Sequence, residues 1–135
     1  MSSLSLRRGL IDTPILVDSR LAEPQALQFI ADMLQRTGPI VLSELTGMAM
    51  MARCQDADEL DELINGFLVN SRVHPITAAI SHGAYRIMTQ LPAPSPLNPD
   101  DALIAATALI HKLPLYTLDP GRFGIVPGLN CIQPY

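Results

Sequence analysis

Three aspartates stand beside short apolar runs at widely separated points of the chain. Asp12 follows Gly9-Leu10-Ile11, Asp101 opens Asp101-Ala102-Leu103-Ile104-Ala105-Ala106-Thr107-Ala108, and Asp119 follows Leu115-Tyr116-Thr117-Leu118. Side chains just past the carboxyl ends of parallel strands converge on the crevice where open α/β folds place their chemistry, so one sheet edge could gather all three. Clustered carboxylates require a cation. Hard divalent ions such as Mg²⁺ or Mn²⁺ prefer oxygen ligands and are commonly held by few carboxylates with water and substrate phosphate. That chemistry suits a phosphodiester substrate, with metal activating water and offsetting the charge that develops on the phosphate.

Taken singly, each acid has a plain local role that outweighs the chemical one. Asp12 can begin a turn, Asp101 can complement a helix dipole, and Asp119 before Pro120-Gly121 can form an Asx turn. Only their ordered combination shifts the balance.

The hydrophobic pattern defines the elements that must position them. Arg8 to Asp12 reads as a short buried strand, followed by a helix over Pro14 to Asp18. Pro24 to Gln35 carries Leu27, Ile30 and Leu34 at helical spacing and ends at Gly38-Pro39. Ile40-Val41-Leu42 is a second strand, and Ser43 can open a helix through Met51. Ala57 to Asn70 reads as one amphipathic helix, with Asp56, Asp58, Glu59, Asp61 and Glu62 near its N-terminus as structural acids. Val73-His74-Pro75-Ile76 is too short and proline-broken to assign as a strand, whereas Ile76, Ile80, Ala84, Ile87, Met88 and Leu91 form a helical stripe. Prolines 92, 94, 96 and 99 make Leu91 to Asn98 an extended loop, after which Asn98 caps a helix carrying Asp101 in its first turn. Leu115-Tyr116-Thr117 and Cys131-Ile132 look like late strands separated by turns. Short apolar strands alternating with longer amphipathic helices predict a three-layer α/β/α domain with a mainly parallel central sheet.

At 135 residues and 48% hydrophobic content the chain suits one domain spanning 1–135, with Met1 to Arg8 as a loosely ordered extension. Cys54 and Cys131 lack metal-ligand spacing to His74, His82 or His111, so neither a disulfide framework nor a zinc site is indicated and a reducing cytoplasm fits. No apolar run approaches a membrane span. A mean hydropathy of +0.25 is high for a small soluble domain and points to apolar surface covered by another chain, as in a homodimer. The net charge of −4 argues against a broad basic nucleic-acid surface without excluding a nuclease. Arg53, Arg72, Arg86 and Arg122 remain available to steer phosphates.

Ile11-Asp12-Thr13, the Asp101 to Ala108 phrase, Thr117-Leu118-Asp119 and Val126-Pro127-Gly128-Leu129 together resemble the PIN-domain ribonucleases, most closely VapC-type toxins. The resemblance runs from about Leu10 to Tyr135. It implies a compact α/β/α PIN fold, commonly homodimeric, that cuts RNA with Mg²⁺ or Mn²⁺ and is neutralised by a cognate antitoxin. Asp12 then corresponds to a central metal ligand, with Asp101 and Asp119 completing the acidic pocket directly or through water. Thr13 and Thr117 could orient carboxylates or water, beside ordinary turn or strand-end roles.

The family pattern also expects a glutamate in the helix after the second strand. Ser43-Glu44-Leu45-Thr46-Gly47-Met48-Ala49-Met50-Met51 fits that phrase, but matching Ser43 and Thr46 to it puts Ala49 at the glutamate position. Glu44, five residues away, is turned by about 140° and displaced by about 7.5 Å along a helix, so it is expected to face elsewhere unless the strand-to-helix turn is irregular. One carboxylate is therefore expected to be missing, and activity impaired. A second departure is Arg122, where relatives often carry another acid; it could contact RNA phosphate or pair with a pocket carboxylate, but a peripheral solvated arginine outside the catalytic set is the leading expectation.

The competing readings are a catalytically silent PIN domain that holds an antitoxin or RNA, and a phosphoacceptor receiver. A receiver needs an acceptor aspartate after a mid-chain strand, whereas Asp56, Asp58 and Asp61 fall in or beside a predicted helix.

Overall fold

The computed structural model describes residues 6–135. Most of the expected extension, residues 1–5, lies outside the described residues. Its last part is held in place: the Arg7 carbonyl accepts a bond from the Tyr116 hydroxyl at 2.7 Å, and Leu6 packs against the core.

Five strands are formed among the described residues: β1 (Leu10–Ile11), β2 (Val41–Ser43), β3 (Arg72–His74), β4 (Leu115–Tyr116) and β5 (Cys131–Ile132). Their order is β3-β2-β1-β4-β5 and every pairing is parallel, with Leu10 opposite both Val41 and Leu115. Alternation along such short strands divides their side chains between two cores. Leu10, Val41 and Leu115 face one side, under α5 (Ala78–Gln90), α6 (Pro99–Ile110) and α7 (Pro120–Phe123). Ile11, Leu42 and Tyr116 face the other, under α1 (Thr13–Arg20), α2 (Pro24–Thr37), α3 (Glu44–Ala52) and α4 (Ala57–Gly66). The result is the expected three-layer α/β/α arrangement.

Several boundaries differ from the sequence expectation. The segment left unassigned at Val73 to Ile76 overlaps β3, whose backbone completes the ladder with β2 from Val41↔Arg72 to Ser43↔His74. An exposed three-residue edge carries no hydrophobic alternation that could announce it, and the stacking of His74 on His111 at 3.8 Å is a long-range contact. The predicted Ala57 to Asn70 helix stops at Gly66 and continues as a 3₁₀ turn over Leu68–Asn70, since Phe67 leaves helical geometry at φ −128°. The turn read at Asp119-Pro120-Gly121 instead opens the one-turn helix α7, which runs to Phe123. The acids of α4 are structural as expected: Asp56 caps it through Glu59 N at 2.8 Å, and Glu62 pairs with Arg20 at 3.0 Å.

Gly9 allows β1 to pass close to β4. A Cβ there would lie 2.6 Å from Cε2 of Tyr116 and 3.0 Å from the Pro114 carbonyl oxygen. The Tyr116 ring is fully buried and tied through its hydroxyl to Arg7, so it has little room to retreat. Gly9→Ala is expected to destabilise the fold by about 1–3 kcal/mol. The measurement is urea unfolding, where the midpoint should fall with an unchanged m-value.

Candidate active site

A parallel sheet puts the carboxyl ends of all its strands at one edge, and the chain direction across this sheet reverses between β1 and β4. That switch point is where a crevice opens. Asp12 follows β1 directly and caps α1, with its Oδ1 accepting from Thr13 N at 2.9 Å. Thr117 follows β4; its hydroxyl donates to Asp12 Oδ2 at 2.9 Å and accepts from Asp119 N at 3.1 Å. A single buried hydroxyl thus links the acid after β1 to the acid after β4.

Asp101 enters from the helical layer. Asn98 and Asp101 form a reciprocal capping box, with Asp101 N donating to Asn98 Oδ1 at 2.9 Å and Asn98 N donating to Asp101 Oδ2 at 3.1 Å. Pro99 at the first helical position fits a site that has no use for an amide hydrogen. Asp119 caps α7, accepting from Arg122 N at 3.2 Å. All three acids therefore perform local capping, and long-range contacts also tie Asp12 to Thr117 and Asp101 to Arg122.

Arg122 connects Asp101 and Asp119. Its Nε donates to Asp119 Oδ2 at 2.9 Å, and its Nη1 pairs with Asp101 Oδ2. The expectation of a peripheral solvated arginine is corrected: the one-turn helix α7 aims the guanidinium back across both carboxylates. The available signal was the Asp119-to-Arg122 spacing, since helical residues three apart are neighbours. The partner across from it, Asp101, is 21 residues distant and invisible to spacing.

Charge balance follows from this layout. Burial raises the Asp12 carboxyl above the ordinary aspartate range, opposed by the Thr117 and Thr13 hydrogen bonds, while the Asp101 charge adds to the rise and Arg122 reduces it. Burial alone would weaken the Arg122 proton affinity, but its bond to Asp119 and the charges of Asp101, Asp119 and Asp12 outweigh that and raise it. One guanidinium thus senses all three acids.

Because the Asp12 pKa is raised on folding, the folded chain binds that proton more tightly than the unfolded chain. Its contribution favours folding at acid pH and is lost as pH rises through the folded pKa, so ionised Asp12 is a cost at neutral pH. Asp12→Asn retains an acceptor for Thr13 N and places a donor beside Thr117. In EDTA at pH 7 its melting temperature is expected to rise by roughly 2–4 °C, with the gain shrinking toward acid pH in a melting series.

The remaining sequence candidates divide by helix face. Ser43 is fully buried and caps α3, accepting from Leu45 N at 3.0 Å. Thr13 does not bond a carboxylate through its side chain; its hydroxyl meets that of Thr46 at 2.8 Å. This contact docks α3 beside the start of α1. Ala49 is half-buried three residues beyond Thr46, on a neighbouring part of the same face. Glu44 instead accepts from Ile76 N at 2.6 Å, beyond the end of β3. It is committed to that backbone.

Carboxylate oxygens are the donors that Mg²⁺ and Mn²⁺ take, and Asp101 and Asp119 already bind one positive charge whose field also reaches Asp12, so the residues fit such an ion in kind. The present arrangement is completed differently. Among the described residues, no three Asp, Glu, His or Cys side chains are grouped to hold a metal ion, and the cation between Asp101 and Asp119 is Arg122.

Comparisons with known proteins agree with this architecture. The family model described as PIN domain matches residues 10–128. No curated protein matches. Among solved structures, a toxin-antitoxin complex from Klebsiella pneumoniae contains a chain 26% identical with a TM-score of 0.75, over 94% of this chain and 98% of that one. DNA-bound VapBC from Salmonella typhimurium aligns at 16% identity and a TM-score of 0.77, over 96% and 100%. VapBC2 from Rickettsia felis, bound to a promoter DNA fragment, aligns at 15% and 0.75, over 94% and 98%. These last two likenesses speak to the fold. With nearly the whole sheet and its acid-bearing edge inside the matched span, the chain belongs to the PIN-domain family.

Proposed function

We propose that this chain is the toxin of a toxin–antitoxin pair and has the site of a metal-dependent endoribonuclease, impaired here by Ala49. The observation that carries the reading is the linkage of three acids from distant segments at the switch of a parallel sheet: Thr117 bonds the Asp12 carboxylate and the Asp119 amide, and Arg122 bridges the Asp119 and Asp101 carboxylates. Asp12, Asp101 and Asp119 would hold Mg²⁺ or Mn²⁺, which when bound supplies Lewis acidity and an activated water. Thr117 keeps the Asp12 carboxylate oriented, and the capping box keeps Asp101 from rotating away. Ser43 and Thr46 set the angle of α3 and so the direction of position 49.

An antitoxin partner is supported by the toxin–antitoxin complexes among the structural neighbours. Exposed apolar side chains such as Leu21, Leu27, Leu34, Met48 and Met51 support surface covered by another chain, whether antitoxin or a second copy in a homodimer. No described helix is long and apolar enough to cross a membrane, which is compatible with the proposed cytoplasmic location.

Incubating a labelled RNA pool with the chain and its Ala49→Glu variant in Mg²⁺ or Mn²⁺ tests the ribonuclease reading. Cleavage that disappears on Asp12→Asn supports it; cleavage indifferent to Asp12 overturns it. A second reading, the catalytically silent PIN domain, is favoured by Ala49 together with the Arg122 ion pairs in the acid pocket. It requires partner binding with no cleavage by either chain.

A further inference from the structure

We propose that Arg122 is a resident counter-cation that competes with divalent metal for Asp101 and Asp119, so that the chain's metal affinity is set by an intramolecular exchange. The inference rests on the metal-site reading above and adds a step to it: the guanidinium must leave before an ion can be held.

The geometry supplies both halves of the competition. Arg122 uses two different nitrogens on two different carboxylates, Nε on Asp119 and Nη1 on Asp101, and its backbone amide also binds Asp119. A forked guanidinium can satisfy both at once, whereas an ammonium acts as a single point charge. Asp101 is nearly buried, with its side chain 10% exposed, so the pair formed there is poorly screened by water. The route of release is also present. The Arg122 side chain is 30% exposed and Asp119 is 56% exposed, so the outer half of the bridge borders solvent and can open first. Asp119 anchors α7 through its other oxygen to Arg122 N, so the helix can persist while the side chain swings.

The consequence is quantitative. When a site is competent only in the fraction of molecules whose guanidinium has left, its apparent affinity falls by that fraction. A bridge closed about nine-tenths of the time weakens metal binding about ten-fold. Without metal, the same arginine holds the carboxylates against mutual repulsion.

The test is Mn²⁺ titration of the chain, Arg122→Gln and Arg122→Lys, following free Mn²⁺ by electron paramagnetic resonance, with melting curves in EDTA and in excess Mn²⁺. Arg122→Gln is expected to bind Mn²⁺ about ten-fold more tightly, to melt lower than the parent in EDTA, and to recover more of its melting temperature when Mn²⁺ is added. Arg122→Lys should fall between the two in affinity. A purely structural arginine predicts a loss of stability in both media and no gain in affinity. Equal or weaker Mn²⁺ binding by folded Arg122→Gln, still abolished by Asp12→Asn, overturns the competition while leaving the metal site standing. Binding unaffected by Asp12→Asn, or no binding by any variant, overturns the site and the competition together.

Discussion

Ala49→Glu is expected to raise RNA cleavage in Mn²⁺ or Mg²⁺ by roughly 10 to 100-fold, and Asp12→Asn in the same background to return it to the control level. The direction comes from α3. Thr46 is buried and held against Thr13, the residue next to Asp12, which fixes the rotation of the helix relative to the acid. Position 49 lies about 60° around and about 4.5 Å further along from Thr46, so a longer side chain there starts on the correct side. Glu44 lies about 160° from Thr46 in the opposite sense and already serves Ile76. Ala49 is half-buried rather than enclosed, so a glutamate can be added without filling a closed core. The check is initial rates on a labelled RNA pool, with thermal melts to establish equal folding. Equal rates for both chains would make Ala49 a tolerated residue, and cleavage by neither, with partner binding retained, would favour the silent domain.

Phe123→Ala should be the most damaging of the substitutions considered for stability, at about 3–5 kcal/mol. The Phe123 ring is fully buried in the same core as Leu115, Ile104 and Val126, and it is the only buried side chain of α7. A helix of one turn has almost no intrinsic stability, because nucleation costs more than so few bonds return. The ring is therefore what holds α7 against the sheet, and α7 carries Arg122 and the cap Asp119. Against a total folding stability of about 5–15 kcal/mol, such a loss is large, with a melting temperature lowered by roughly 10 °C or more. Phe123→Leu keeps most of the volume and should cost less than about 1.5 kcal/mol. Calorimetry of both variants separates loss of the ring from loss of apolar character.

How much was legible from sequence depended on the range of the physics involved. Long helices announced themselves through periodicity and caps: Asn98-Pro99 and Pro24 mark the starts of α6 and α2 where they are observed. The short strands β1, β2 and β4 were readable as apolar runs between turns, because burial on both faces leaves little polar alternation, and the half-buried β5 by its Cys131-Ile132 pair beside turns. β3 was not, since an exposed edge of three residues owes its existence to the ladder offered by β2. The departure at Ala49 was visible only through the family resemblance, by matching Ser43 and Thr46 to its phrase, and the structure adds the Thr13 contact that orients this helix.

Local chemistry, then, was written in the chain itself: acids suited to turns and helix starts, and apolar runs for β1, β2, β4 and β5. Only the tertiary structure decided what surrounds those acids. Thr117 reaches Asp12 across 105 positions, and Arg122 reaches Asp101 across 21. Sequence spacing encodes the turn of a helix and the pleat of a strand, but contacts between remote segments depend on strand order. Here that order sets β4 beside β1 and thereby fills the acid pocket with an arginine expected to lie in solvent.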